Sequence, residues 1–381
     1  MANWAELPPE LIGLVLKRLI AHDVYDYLSF RAVCHPWRSV ASEKHNYAGV
    51  SVCKIPWLMM AEKENSDVRS FYSLSNNKFY NIHLPEARGR RCWGSPDGWL
   101  ITLGIDREMH LLNPLTHVQI RLPSQTTFGD QYPEKSSFTS EVVREIFIRK
   151  AIQLSTPTST TNGNCIVIAI YSQWGKLAIA KPTDKTWTTL ESPFAHYYDV
   201  ISFKDQVYAI DSYGILRICD ITGIQPNVVD FASPIKNYKG CDTLYLVEIS
   251  GELHLIIRYV FREEDWEDGE PENNSVTLGT CFFEIYKMDI CTRQWEELDG
   301  SSEHALFLGT NCSFSLSVAE YPELKGNCVY FTDDDVDSWD CEAGRYTGIY
   351  NFENKIVEFI DLGLDMHSTF SPPLWITPNL C

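Results

Sequence analysis

A small all-helical block leading into an all-β body is the architecture that the patterning of this 381-residue chain implies. Between Pro9 and Ile20 the apolar residues recur at three- and four-residue spacing, the period of a helix with one apolar stripe. From about Val68 onward the theme changes to short β-branched and aromatic runs separated by tight polar turns, the mark of antiparallel strands. These hairpin units recur at roughly 40 to 60 residues with several strands each, the spacing of propeller blades. The expected fold is therefore a small all-α block of three helices followed by an all-β propeller of about six blades, within a range of roughly five to seven.

The first helix should start at Pro8 or Pro9, because proline's fixed φ suits a first turn and its missing N–H is not needed there. It should run from about Pro9 to Ile20, with Leu11, Ile12, Val15, Leu16, Leu19 and Ile20 on the apolar stripe and Glu10, Lys17 and Arg18 elsewhere. A second helix is expected over Val24 to Val33 with Asp23 as its cap, and a third, short one opens at Pro36 and carries Trp37, Arg38 and Val40. A block of about forty residues cannot bury all of these side chains within itself, so either the rest of the chain or another protein has to cover part of the stripe.

In the β region, Val200 to Phe203 and Val207 to Ile210 flank Lys204-Asp205-Gln206, and Leu244 to Ile249 and Leu253 to Tyr259 flank Ser250-Gly251-Glu252. Both read as hairpins. Related units join Phe71 to Leu74 with Lys78 to Leu84, Trp99 to Leu103 with Met109 to Leu112, Cys165 to Tyr171 with Lys176 to Ala180, and Cys328 to Thr332 with Ile349 to Ile360. Several units end on one phrase, a polar turn followed by Trp or Ile before Leu. Asn113-Pro114-Leu115-Thr116 leads to Ile120 and Leu122, Pro182-Thr183-Asp184-Lys185 to Trp187 and Leu190, and Asp289-Ile290-Cys291-Thr292 to Trp295 and Leu298. Packing between blades is the ordinary role of such repeated aromatics as Trp187 and Trp295.

Composition narrows the function. The net charge of −19 falls outside the first 48 residues, where five Lys/Arg balance five Asp/Glu. Seven acids lie in Glu263 to Glu272 and six in Asp333 to Glu342, and such a surface repels phosphate backbones, which argues against nucleic-acid binding. The longest apolar run, Cys165 to Tyr171, is far shorter than the roughly 20 residues of a membrane span, so no membrane association is expected. Scattered over the whole length without a C-x-x-C, the twelve cysteines read as reduced, mostly buried thiols of a cytoplasmic or nuclear protein.

No G-x-S-x-G, H-E-x-x-H, G-x-G-x-x-G or Walker loop is present. Asp333, Asp335 and Asp337 imitate a calcium loop, but Ser338 replaces its turn glycine and Gly344 its bidentate acid. Arg88-Gly89-Arg90-Arg91 has the donors of a phosphate clamp, although a solvated loop accounts for it more simply. No catalytic residue, metal or cofactor is assigned.

Within Trp4 to Arg38, the residues Leu7, Pro8, Leu11, Ile12, Val15, Leu19, Leu28, Arg31, Val33, Cys34, Trp37 and Arg38 stand where an F-box has its motif residues, and the block resembles one. Downstream, Ser95 to Leu100, Leu112 to Thr116, Leu306 to Gly309, Val329 to Asp333 and Pro373-Leu374-Trp375 resemble the plant β-propeller domain, kelch-like in outline, that commonly follows an F-box. True kelch repeats carry a Gly-Gly doublet that this sequence lacks.

The resemblance implies an F-box over residues 1–48, a linker over 49–66 and a propeller over 67–381. It implies docking on the small Skp-type adaptor of SCF ubiquitin ligases, and through it on a cullin, by a helix-in-groove mode. Leu7, Pro8, Ile12, Val15, Leu28, Val33 and Trp37 are the residues it places at or directly behind that interface. The implied role is a non-catalytic substrate-recognition subunit whose propeller holds a target protein for ubiquitination. A scaffold that sequesters a partner without degradation, and a propeller enzyme, are the alternatives. Glu263, Glu264, Asp265, Glu267 and Asp268, with Asp333, Asp334, Asp335 and Asp337, read either as solvated loops that keep the protein soluble or as projecting acidic rims that face the substrate. Such rims would speed the approach of a substrate with a basic segment.

Overall fold

The computed structural model describes residues 4–22, 24–46, 54–63, 66–132, 138–155, 165–193, 196–223, 225–236, 238, 240, 243–260, 281–334, 347–360, 362–363, 368 and 370–380. Three helices open it, α1 (Pro9–His22), α2 (Asp26–Val33) and α3 (His35–Ser42). Pro9 opens α1 and Pro36 lies in the first turn of α3, as proline's missing N–H demands. The second helix starts two residues later than its apolar pattern implies, with Tyr25 at the cap position; Asp23, the expected cap, lies outside the described residues. Ile12, Leu16 and Ile20 recur every fourth residue along α1 and are fully buried, together with Val24, Tyr27, Phe30, Val40 and Ala41 from the other helical segments.

That core does not stop at the helices. It is continuous with Trp57, Phe71, Tyr80 and Ile82 of the first sheet, and the ring of Tyr25 stacks on that of Tyr80 at 4.1 Å. The rest of the chain therefore covers one part of the helical stripe.

Among the described residues six sheets follow, each of four strands except the last, which has five. Blades 2 to 5 are meanders in chain order over 90–122, 148–189, 197–232 and 243–298. In each, the first strand is mostly buried and the last is less so, as Arg90–Gly94 and Gln119–Leu122 show. First strands contact one another from blade to blade, so they line the axis of the propeller.

Blade 1 is closed from both ends of the chain. The strands Trp57–Met59, Val68–Ser73 and Lys78–His83 are joined by Leu374–Ile376, which pairs antiparallel to the first of them with Leu58 opposite Trp375. The stretch expected to act as a linker, 49–66, thus supplies an interior strand. Its Trp57, Leu58 and Met59 are all buried in that sheet. Blade 6 departs from the meander: His304–Leu308 pairs parallel to Cys328–Phe331 and antiparallel to the extra strand Phe314–Ser317.

The two expected hairpins have two-residue turns. Lys204 and Asp205 have φ of 47° and 61°, and Ser250 and Gly251 have 51° and 76°, the pair of left-handed residues that matches the twist of the flanking strands. The recurring phrase also has a structural reason. Asn113, Asp220, Asp289 and Asn351 each close the third strand of a blade, and each side-chain oxygen accepts backbone N–H groups of the turn that follows. Trp187 packs between blades 2 and 3, stacked on Phe128 at 4.4 Å with its Nε1 donating to the Pro123 carbonyl. Among the described residues, no helix is long and apolar enough to cross a membrane.

Candidate functional site

The outer surface of the helical block is the first candidate. Filling its core with the Ile12 row turns the neighbouring positions of α1 outward, and Leu11 and Leu14 are 47% and 57% exposed. Val33, at the end of α2, is 56% exposed, and Trp4 is 64% exposed. Covering what remains open of each leucine or valine is worth about 1 kcal/mol. Nothing among the described residues does so. Trp37 lies beside Trp4, donating from Nε1 to its carbonyl at 3.1 Å, and its ring packs on Phe30 at 4.5 Å.

Of the seven residues singled out from sequence, Pro8 and Val33 are exposed, and Leu7, Val15, Leu28 and Trp37 are half-buried with their inner sides on the helical core. Ile12 alone is fully enclosed, so it supports the surface from behind. Leu14 was missed because a leucine between two buried positions gives no local sign of which way it turns.

The second candidate is the propeller axis. Lys150 and Asp199, from the first strands of blades 3 and 4, pair at 2.6 Å with side chains 5% and 1% exposed. Burial pushes the Asp199 carboxyl up, while the Lys150 ammonium and the amides of Leu246 and Val200 pull the other way. Arg258 donates to Asp334 at 3.1 Å and to the Thr332 carbonyl at 3.2 Å, and the Tyr245 hydroxyl donates to Asp334 within 2.9 Å of both its oxygens. In blade 4 a wholly buried Arg217 pairs with Asp211 at 2.8 Å.

These contacts change the reading of the second acidic segment. Asp333 is buried and Asp334 is 13% exposed, so neither projects as a rim: the buried guanidinium of Arg258 needs a counter-charge and draws Asp334 inward. Glu263, Glu264, Asp265, Glu267, Asp268, Asp335 and Asp337 lie outside the described residues. The arginine cluster separates as well. Arg88 pairs with Asp67 at the surface, Arg90 with Asp106, and Arg91 is buried beside Trp93, where desolvation lowers its guanidinium to about 10. It is neither a clamp nor a solvated loop, because strand alternation sends Arg90 and Arg91 to opposite faces.

Comparison with known families decides the assignment of this architecture. The F-box domain profile matches residues 4–48, and that of the KIB1-4 beta-propeller matches residues 71–351. The chain belongs to the KIB1-4 beta-propeller family.

Its similar proteins share both parts. F-box protein SKIP23 of Arabidopsis thaliana is 25% identical over all of this chain and 97% of its own length. F-box protein At2g17036 of the same plant is 25% identical over all of this chain and 96% of its own, and the putative F-box/kelch-repeat protein At5g24040 is 23% identical over the whole of both. An F-box is in general a module that binds a Skp-type adaptor, and the exposed Trp4, Leu11, Leu14 and Val33 of this KIB1-4 protein lie on that module. The paired charges along its propeller axis were invisible from sequence. A lone Lys150 in Ile-Arg-Lys-Ala-Ile-Gln looks like a surface residue of an edge strand until Asp199, 49 positions on, is placed beside it.

Proposed function

We propose that this protein is the substrate-recognition subunit of an SCF-type ubiquitin ligase. The F-box helices dock on a Skp-type adaptor that carries a cullin, and the propeller holds the target. The supporting observation is the helical block itself. Its core is filled by Ile12, Leu16, Ile20 and the blade-1 contacts, and still Leu11, Leu14 and Val33 stand open beside half-buried Leu7, Val15, Leu28 and Trp37. Amphipathic helices left in that state are completed by a groove on another protein.

The receptor's service is proximity: holding a target's lysines near a ubiquitin thioester replaces a bimolecular encounter by an intramolecular one. The axial carboxylates Asp199 and Asp334 are each engaged by a cation, which favours this non-catalytic reading over a hydrolytic propeller, where paired carboxylates must be free to exchange protons.

Co-purification with a Skp-type adaptor tests the docking. Leu7→Ala/Pro8→Ala and Leu11→Ala/Leu14→Ala should each lose most of the bound adaptor, by about 2 kcal/mol or roughly thirtyfold in affinity. Thermal unfolding of the propeller should hardly change. Adaptor retained at the wild-type level by both folded variants refutes the reading. Cullin inhibition then separates degradation from sequestration, since only a degraded partner rises in abundance.

A further inference from the structure

Blades 3 and 4 carry the same turn between their second and third strands, and each puts an aromatic ring in solvent. In blade 3 the turn after Val167–Tyr171 reads Ser172-Gln173-Trp174-Gly175, and in blade 4 the turn that closes Gln206–Asp211 reads Asp211-Ser212-Tyr213-Gly214. The first residue of each accepts the glycine amide on its carbonyl, at 3.1 and 2.9 Å, and the aromatic residue's amide on its side-chain oxygen, at 3.3 and 2.9 Å. Gly175 and Gly214 are required there: φ is 57° and 75°, and a Cβ would meet the His196 Cα at 2.9 Å and the Tyr238 ring at 3.0 Å. The third position carries no such demand. It is Trp174 in one turn and Tyr213 in the other, 51% and 63% exposed.

The two turns are locked to each other by the chain that joins the blades. His196 donates its amide to the Trp174 carbonyl and accepts the Ser212 amide on its own carbonyl at 2.9 Å, and its ring meets that of Trp174 edge-on at 6.2 Å. Trp174, His196 and Tyr213, all exposed, therefore stand on one fixed platform, and little backbone has to be ordered when a partner settles on them. Large aromatic side chains held in place and left in water have the character of binding anchors, since covering them gains apolar burial and ring contacts together.

The charge of this face selects the occupant. In a meander propeller the turns between second and third strands all lie on one face, so the facing ends of Glu252–Val260 and Cys281–Asp289 in blade 5 lie there too. Asp334, just beyond Cys328–Phe331 of blade 6, reaches Arg258 near the end of Glu252–Val260, which brings that junction to the same face. Residues 261–280 and 335–346, joined to the face at these strand ends, hold eleven acids against two arginines, nearly half of the net −19. Next to Trp174 itself, Lys176 is neutralised by Asp130 at 2.8 Å. A second copy of the chain brings the same excess of negative charge and is repelled, as is a nucleic acid. We propose that Trp174 and Tyr213 are anchors for a basic segment of the protein that the propeller holds, with Lys or Arg side chains laid across the two rings, a reading that rests on the receptor role proposed above. The ring faces attract the cations, the aliphatic stems cover the rings, and the negative field speeds the approach.

A library of random peptides displayed on phage and selected against the full-length protein samples every side-chain chemistry. The selected peptides should carry net positive charge, and the same peptides made synthetically should bind with an affinity that falls as salt rises. Trp174→Ala and Tyr213→Ala should each weaken that binding about tenfold or more, with unfolding temperatures unchanged because both rings are exposed. Ile356→Ala, which removes an equally exposed apolar side chain from the outer strand of blade 6, should leave it as it is. Selection of neutral or acidic peptides, selection of none, or binding that survives both aromatic substitutions overturns the proposal. So does a dimer in sedimentation that Trp174→Ala dissolves, which assigns the patch to a second copy. Both aromatic variants should still co-purify with the Skp-type adaptor, and Leu11→Ala/Leu14→Ala should still bind the peptides, so failure here and failure of adaptor docking are separate results.

Discussion

Asp199 joins four blades with one carboxylate. It pairs with Lys150 of blade 3, accepts the amide of Val200 in its own blade 4 and of Leu246 in blade 5, and accepts the hydroxyl of Ser313 next to blade 6. Removing one partner of such a pair leaves a buried charge uncompensated, so Lys150→Met should cost about 3–5 kcal/mol in denaturant unfolding. Lys150→Met/Asp199→Asn should cost clearly less, because the orphaned charge goes with it. Burial already raises the Asp199 carboxyl above its ordinary value, and without Lys150 it rises further. A folded-state value above the unfolded one means that the folded protein binds the proton more readily, so the deficit of Lys150→Met is full near neutral pH and shrinks as pH falls. A deficit that stays constant or grows on acidification would show that Lys150 acts through packing alone.

Turns and strands were the most legible level of this protein. The three-residue stretches Lys204-Asp205-Gln206 and Ser250-Gly251-Glu252 between apolar runs close as two-residue turns, with Gln206 and Glu252 taken into the strands, and a two-residue hairpin leaves the backbone little choice but two left-handed residues. Lysine is poorly suited to that region, at about 1–2 kcal/mol per residue, so Lys204→Asn/Asp205→Gly should stabilise the protein by about 1 kcal/mol, read as a raised melting temperature. The turn phrase that opens on Asn113 and Asp289 was visible as a pattern, and the structure supplies its reason: each side chain caps the turn it precedes. Blade 6 was read only in its second half, Cys328 to Thr332 with Ile349 to Ile360. Phe314–Ser317 was passed over although Ser-Phe-Ser-Leu-Ser-Val alternates with the period of a strand, and it pairs with the free edge of His304–Leu308.

The ring closes on Leu374–Ile376, and Trp375 at its centre meets the Phe307 ring edge-on at 5.3 Å, so blade 1 touches blade 6 through the last strand of the chain. Truncation before Pro373 should open both the inner edge of blade 1 and the joint with blade 6. The expected outcome is a lower and broader calorimetric transition in place of one cooperative peak, and an unchanged peak would show that closure is dispensable. Because the F-box core is continuous with blade 1 through Tyr25 and Tyr80, the adaptor-facing helices and the propeller share one apolar cluster.

Periodicity, turn length and capping chemistry are settled among residues a few positions apart, which is why three helices, the hairpins and about six blades could be read from order alone. The F-box motif is likewise a local string. Which charges face the axis, that residues 57–59 complete a sheet with the chain's last strand, that Ile12 points inward while Leu14 points out, and that Asp334 answers Arg258 were decided by contacts between distant positions, such as Arg69 with Ser371 or Lys150 with Ser313. No local period records such pairings: a charged residue is driven inward by the partner that folding brings beside it.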